Sequence, residues 1–296
     1  MNAQFPLVSI GLPVYNSEKT IVRALDSLLA QNYPNFEIVI SDNSSTDKTA
    51  EICRQYAERD NRIKFNINPK NLGINANFYI VYKMAAGKYF MWAGSDDFWQ
   101  PDFIRTLVRE LESDTRAGVA LCAVQRAYPD GSVEDTVQFD QVRDPNNFSN
   151  WQMVANLLSP KARIKDRKYN LFICGLFSRE AVRGTLDFAD EILSYGERAF
   201  LSQIALAYKF RYVDEVLFVK TIYRQPFKER QPDDQYVQAK KRLSYLRYYY
   251  QIMVWTNKSP AIPWRRKWFV IVIPHYMLHK FIYKLQKRFR RPRMTS

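Results

Sequence analysis

The last 62 residues of this 296-residue chain contain no aspartate or glutamate. They carry 15 lysines and arginines, whereas residues 1–234 hold 29 basic against 30 acidic side chains, so the net charge of +14 arises from the tail. Such segregation points to an anionic partner for the tail alone, either membrane lipid or nucleic acid. Cysteine is sparse too. Cys53, Cys122 and Cys174 stand singly, a pattern that speaks against a disulfide framework or a cysteine-built zinc site and fits a reducing compartment. Missing as well is a basic segment followed by an apolar one at the start, since Met1–Pro6 leads directly into the strand-like Val8–Leu12; the expectation is a cytoplasmic protein. No apolar run approaches the roughly 20 residues of a spanning helix. The most apolar stretch, Trp268–Leu278, is interrupted by Pro274, and His275, His279 and Lys280 lie in or just beyond it. Internal repeats and low-complexity linkers are absent.

What is present is an alternation of short apolar runs with helix-period segments. Val8–Leu12, Phe36–Ile40, Ile63–Ile67, Lys88–Ala93 and Gly118–Gln125 read as strands. Between them lie a helix with Ile21, Leu25, Leu28 and Leu29 on one face, capped by Asn16 or Ser17, a second carrying Cys53, Tyr56 and Ala57 inward, a third near Ala76–Ala86, and a fourth from Pro101 to about Ser113. Further strands are expected at Tyr169–Ser178 and Tyr212–Val219, and helices at Trp151–Leu158 and Arg198–Ala207. A βαβα order argues for an α/β fold whose mostly parallel sheet is covered by helices on both faces. With 47% hydrophobic residues the chain can bury a full core.

Two of these strands end in carboxylates 54 residues apart: Asp42 in Ser41-Asp-Asn-Ser-Ser-Thr-Asp47, and Asp96-Asp97 in Gly94-Ser-Asp-Asp-Phe98. Ligands of open parallel sheets bind beyond the carboxyl ends of the strands, so the acids are expected along one rim. One can accept hydrogen bonds from a base or ribose, and a pair can hold a divalent cation. A sugar nucleotide requires that combination.

Taken with Pro13-Val-Tyr-Asn16 and Asn71-Leu-Gly73, these segments match in order and spacing those of glycosyltransferase family 2, and residues 7–225 resemble its inverting members with a GT-A fold. The resemblance implies a GT-A domain over 1–234, divided into a nucleotide-sugar half (1–125) and an acceptor half (126–234). It implies that Pro13, Tyr15 and Asn16 line the nucleotide pocket, that Asp42 receives the base, and that Asn71 and Gly73 pass close to the nucleoside. A carboxylate can accept the N3–H of uracil or thymine, which tilts the donor towards UDP or TDP. The resemblance also gives Asp97 direct coordination of Mg²⁺ or Mn²⁺ and Asp96 the ribose or the metal's water shell. Ser95 stands where relatives often place an acid. The matching general base is Glu197 in Gly196-Glu-Arg-Ala-Phe-Leu201, where Asp is commoner, with Asp190 and Glu191 as alternatives. After Glu215–Phe218 many relatives bring a basic residue and a histidine to the diphosphate; this chain offers Lys220 and Arg224 and no histidine.

Residues 235–296 are expected to form a basic helical extension. Trp264, Trp268, Tyr276 and Tyr283 suit an interface, with Lys and Arg facing anionic headgroups. No nucleic-acid module is visible, and none is expected as a partner. The sequence thus predicts an inverting, metal-dependent glycosyltransferase, peripheral at the inner face of the cell membrane. It would pass a sugar from a nucleoside diphosphate to a membrane-held, lipid-linked acceptor in surface polysaccharide synthesis. A silent membrane-binding or assembly protein on the same fold is the rival. A nucleotidyltransferase fits less well, because no Gly-rich phosphate loop follows the first strand.

Overall fold

Strand β1 (Val8–Val14) runs through the interior of the sheet, with six of its seven residues buried. Burial on both faces is why it reads as an apolar run rather than an alternation. In this computed structural model the described residues are 5–139, 167–186, 197–225 and, further on, 254, 256–257, 262–265 and 267. The chain divides into two compact units, Met1–Lys240 and Lys241–Ser296.

In the first unit, β1 is flanked by β2 (Phe36–Asp42) and β4 (Tyr89–Trp92), and β3 (Ile63–Ile67) pairs with β2, all parallel. Helices α1 (Ile21–Leu29), α2 (Thr49–Arg59) and α3 (Ile74–Met84) make the crossovers. Parallel neighbours require such crossovers. Helix α1 buries Ile21, Ala24, Leu25 and Leu28. After β4 come the two-residue β5 (Phe98–Trp99) and α4 (Phe103–Glu112), which buries Phe103, Ile104, Leu107, Val108 and Leu111.

The second half of the sheet is built from β6 (Ala117–Ala127), β7 (Val133–Val137), β8 (Leu176–Ser178) and β9 (Lys209–Thr221), with α5 (Arg179–Leu186) and α6 (Glu197–Ala207) between the last two strands. The strand order is β3-β2-β1-β4-β8-β6-β9-β5, with β7 on β6. The short β8 is antiparallel to both β4 and β6, so β6 and its parallel partner β9 point the same way as β1. An α/β sheet that is mostly parallel, with flanking helices, is the expected class.

Two expectations need correction. Tyr169–Ser178 is a 3-10 helix (Arg167–Cys174) followed by a three-residue strand rather than one long strand. Neither Asn16 nor Ser17 caps α1 with its side chain: the chain first turns through Ser17–Thr20, where Thr20 N and Ile21 N both donate to Ser17 O. Strands β5 and β7 and helix α5 were not anticipated. The expected helix at Trp151–Leu158 and the stretch 268–285 lie outside the described residues.

Candidate functional site

Because β1, β2, β3 and β4 are parallel, their carboxyl ends Val14, Asp42, Ile67 and Trp92 share one rim. The loops that follow are laced together by side-chain hydrogen bonds. Asn16 Oδ1 accepts from Thr46 N at 2.9 Å, and Asn16 N donates to Ser45 Oγ at 2.9 Å. Lys48 N donates to Glu18 Oε2, and Glu18 N to Asp47 Oδ2. Among the described residues two that are not glycine adopt positive φ, Asn16 at 47° and Ser44 at 63°, and each sits in one of these loops. Such conformations cost about 1–3 kcal/mol each and cluster at ligand sites.

Asp42 lies at the base of this wall, fully buried. Its Oδ2 accepts from Ser45 N at 2.9 Å and its Oδ1 from Ser45 Oγ at 2.5 Å. Each oxygen keeps a further lone pair, yet in this conformation the carboxylate is covered. Tyr15 and Pro13 are half-buried on the same rim, and Asn16 is exposed.

A chain of carboxamides fixes the next loop. Asn77, buried in α3, donates through Nδ2 to Ser41 O (2.9 Å) and Val14 O (3.3 Å), tying α3 to the ends of β1 and β2. Its Oδ1 accepts from Asn68 Nδ2 at 3.1 Å, which is also 3.2 Å from Asn43 Oδ1. Asn43 then bonds Asn71 Oδ1 through Nδ2 (2.8 Å) and Leu72 N through Oδ1 (3.0 Å). Asn71 Oδ1 receives Gly73 N at 2.8 Å in an Asx turn. Gly73 has φ 85° with open space around its α-carbon, so the backbone conformation and not crowding calls for glycine. The two residues expected near the nucleoside are thus held by three asparagines that sequence reasoning overlooked.

The acidic turn separates the roles of its two carboxylates. Asp97 is 2% exposed, with Oδ2 accepting from Lys220 Nζ at 2.8 Å and Oδ1 from Thr221 N at 3.0 Å. Burial pushes its carboxyl above the ordinary carboxylate range against the pull of the Lys220 ammonium, and Asp96 adds to the rise. Burial works to lower the Lys220 ammonium, and Asp97 together with Cys174 and Asp96 outweighs it, holding it above the ordinary lysine range. A Cβ at Gly94 would come 2.5 Å from Asp97 Oδ2. Asp96 is half-buried, and its carboxylate takes no hydrogen bond from the described residues. Its backbone carbonyl accepts from Thr221 Oγ1. Both carboxylate oxygens of Asp96 are without a hydrogen bond from the described residues, while each oxygen of Asp97, expected to coordinate directly, accepts one, from Lys220 or Thr221, and keeps a further lone pair. Among the described residues no group of three or more His, Cys, Asp and Glu gathers to enclose a metal. A cation here would therefore draw further ligands from oxygens of a bound molecule, as Mg²⁺ does with phosphates.

Lys220 is thus part of the turn's support rather than a free cation for a diphosphate. Arg224, 70% exposed, stacks over the Tyr128 ring at 4.2 Å and lies 3.7 Å from Asp130. Glu197 heads α6, at the helix start where the base was expected. Asp190 and Glu191 lie outside the described residues.

The profile for Glycosyl transferase family 2 matches residues 9–184 of this chain, more than half of it. Glycosyltransferase GlyA of Streptococcus pneumoniae is 35% identical over 104 residues, covering 35% of this chain and 15% of the relative. The chondroitin synthase of Escherichia coli is 37% identical over 109 residues, 37% of this chain and 16% of that protein. The chain thus matches only a small part of the length of these relatives. Among solved structures, Staphylococcus aureus TarS 1–349 with UDP-GlcNAc superposes with TM-score 0.62 at 17% identity, over 89% of this chain and 70% of TarS. The Pyrobaculum calidifontis mannosyltransferase PcManGT, with GDP-Man and Mn²⁺, gives 0.53 at 18%, over 92% and 74%. The GT-A-like fold is shared with both.

Proposed function

This chain belongs to glycosyl transferase family 2, and on that premise we propose that it moves a sugar from a nucleoside diphosphate donor to a hydroxyl of a glycan acceptor, with inversion. The observation that carries the proposal is the meeting of Asp42 and the Asp96-Asp97 turn on one rim of parallel strand ends, with the carboxylate of Asp96 taking no hydrogen bond from the described residues.

In this reading Pro13, Tyr15, Asn16, Asn71 and Gly73 line the nucleoside pocket. Asp42 and Ser45 form its polar floor, and a donor N–H of the base reaches Asp42 only if the covering loop yields. UDP and TDP are the favoured donors. Asp97 would hold Mg²⁺ or Mn²⁺ together with phosphate oxygens, with Asp96 beside it at the ribose or the water shell of the ion. A bound cation would neutralise charge building on the departing diphosphate. Glu197 takes the proton from the acceptor hydroxyl as its oxygen bonds the anomeric carbon and the bond from that carbon to the phosphate oxygen breaks. A positioned base contributes about 10²–10⁴-fold.

The acceptor is proposed to be lipid-linked and held at the inner face of the membrane, within surface polysaccharide synthesis. The solved mannosyltransferase with GDP-Man and Mn²⁺ and the TarS complex with UDP-GlcNAc support a sugar-nucleotide donor. In the second unit Trp264 is 68% exposed with Arg265 over its ring at 5.5 Å, a pairing suited to anionic headgroups. No helix among the described residues is long and apolar enough to cross a membrane.

The test is release of nucleoside diphosphate from a panel of UDP-, TDP- and GDP-sugars with membrane glycolipid extracts, with and without Mn²⁺. Release from one donor, dependent on Mn²⁺ and lost in Glu197→Gln, is expected. No release from any donor, with vesicle binding intact, would favour the silent assembly protein.

A further inference from the structure

Strand β9 grips the acidic turn from end to end. Phe98 and Trp99 pair antiparallel with Val219 and Phe218, and Gln100 N donates to Leu217 O at 2.9 Å. The Trp99 and Phe218 rings pack 5.5 Å apart. At the tip, two residues of β9 make three hydrogen bonds to two residues of the turn. Thr221 N and Lys220 Nζ hold the two oxygens of Asp97, and Thr221 Oγ1 donates to the carbonyl of Asp96. Within the turn itself, Asp97 N returns to Gly94 O at 3.2 Å. Asp96 therefore has its peptide carbonyl tied by Thr221 on one side and its neighbour's carboxylate held on the other, while its own carboxylate takes no hydrogen bond from the described residues.

We propose that Thr221, supported by Lys220, is the positioning residue that sets the Asp96-Asp97 turn for the cation and diphosphate of the donor. The inference rests on the proposed function and extends it to β9, which lies beyond the residues matched by the family profile. A hydroxyl on the Asp96 carbonyl fixes the rotation of the peptide that carries the carboxylate. Lys220 balances the second acid, which otherwise would stand unpaired beside Asp96. Threonine suits the position because its backbone N–H and its hydroxyl serve adjacent residues of the same turn. Outer-shell partners of this kind are worth about 10–100-fold in metal affinity.

The test uses the full chain with Mn²⁺ and UDP as probes. Free Mn²⁺ is followed by electron paramagnetic resonance as protein and nucleotide are titrated, and melting temperature is recorded beside it. Thr221→Val keeps the shape and the backbone N–H but removes the hydroxyl; it should weaken Mn²⁺ binding in the presence of UDP by about tenfold or more. Thr221→Ser should restore it to within about threefold of the parent, a window well inside that loss. Ile63→Ala, at the start of β3, serves as a comparator that lowers stability without touching the turn. Equal Mn²⁺ binding by Thr221→Val and the parent would overturn the inference and leave the donor site standing. So would an equal loss in Ile63→Ala. A parent protein that binds no Mn²⁺ with UDP, TDP or GDP would overturn the donor-site reading and this inference with it.

Discussion

Ser45 covers both oxygens of Asp42, its Oγ 2.5 Å from Oδ1 and its N 2.9 Å from Oδ2. The same Oγ accepts from Asn16 N, so one hydroxyl joins the buried acid to the loop opposite. Ser45→Ala removes a hydrogen bond to a charged group, a loss of about 1.5–3 kcal/mol. Because this hydroxyl must leave Oδ1 before a base N–H can reach it, the expected outcome is lower stability with donor KM unchanged or lowered. Urea denaturation beside initial-rate kinetics over a donor series checks it, and a raised KM would contradict it.

Asn77→Ala strips donors from Ser41 O and Val14 O and an acceptor from Asn68, all in the interior. Leaving such groups unmet costs about 1–3 kcal/mol. Urea denaturation should show a lower midpoint with the slope retained, and nucleotide affinity should fall with it, because the Asn71–Gly73 loop hangs from the same network.

Asp114 gives a pH prediction. The backbone N–H of Arg116, with Lys209 and the Arg116 side chain, draws its carboxyl down to about 2. A folded-state value below the ordinary 3.8 means that the unfolded chain takes up the proton first as acid is added. The stabilisation is complete above about pH 4 and lost towards pH 2. Denaturation midpoints at pH 7 and pH 3 should therefore converge in Asp114→Asn relative to the parent protein.

Asp96 and Asp97 should respond oppositely to replacement. Asp96→Asn leaves every hydrogen bond of the turn in place, so melting is expected to stay within a few tenths of a kcal/mol while metal-dependent turnover falls by about 10²-fold or more. Asp97→Ala strands Lys220 and Thr221 N and should cost about 1–3 kcal/mol of stability. Thermal melts of both variants, run beside turnover assays, separate the two roles.

The pattern that could be read from the sequence was the pattern of burial. β1 and β2 are covered on both faces and appear as apolar runs, and α1 shows its inward stripe at Ile21, Leu25 and Leu28. Asp42 and Asp96 were placed on one rim because parallel strands leave no alternative. Elements whose existence depends on a distant partner were hidden. β5 is two residues long and is a strand only by pairing with β9. β7 is mostly exposed and polar between its terminal valines. The apolar Tyr169–Ser178 read as a strand because a 3-10 helix of that composition has no distinct period over one or two turns. Lys220, which the resemblance offers to the diphosphate, shows no sign in the sequence of its pairing with Asp97, 123 residues away. Asn43, Asn68 and Asn77 were passed over for the same reason: a carboxamide network is defined by contacts, and spacing along the chain does not encode it.

The central claim is a donor site in which the Asp96-Asp97 turn supplies the protein's oxygens to a cation. Calorimetric titration of UDP into the parent chain and into Asp96→Asn, each with and without Mn²⁺, tests it most directly. The account predicts Mn²⁺-enhanced binding by the parent and binding by Asp96→Asn that no longer responds to Mn²⁺. Equal Mn²⁺ enhancement in the two proteins would contradict it.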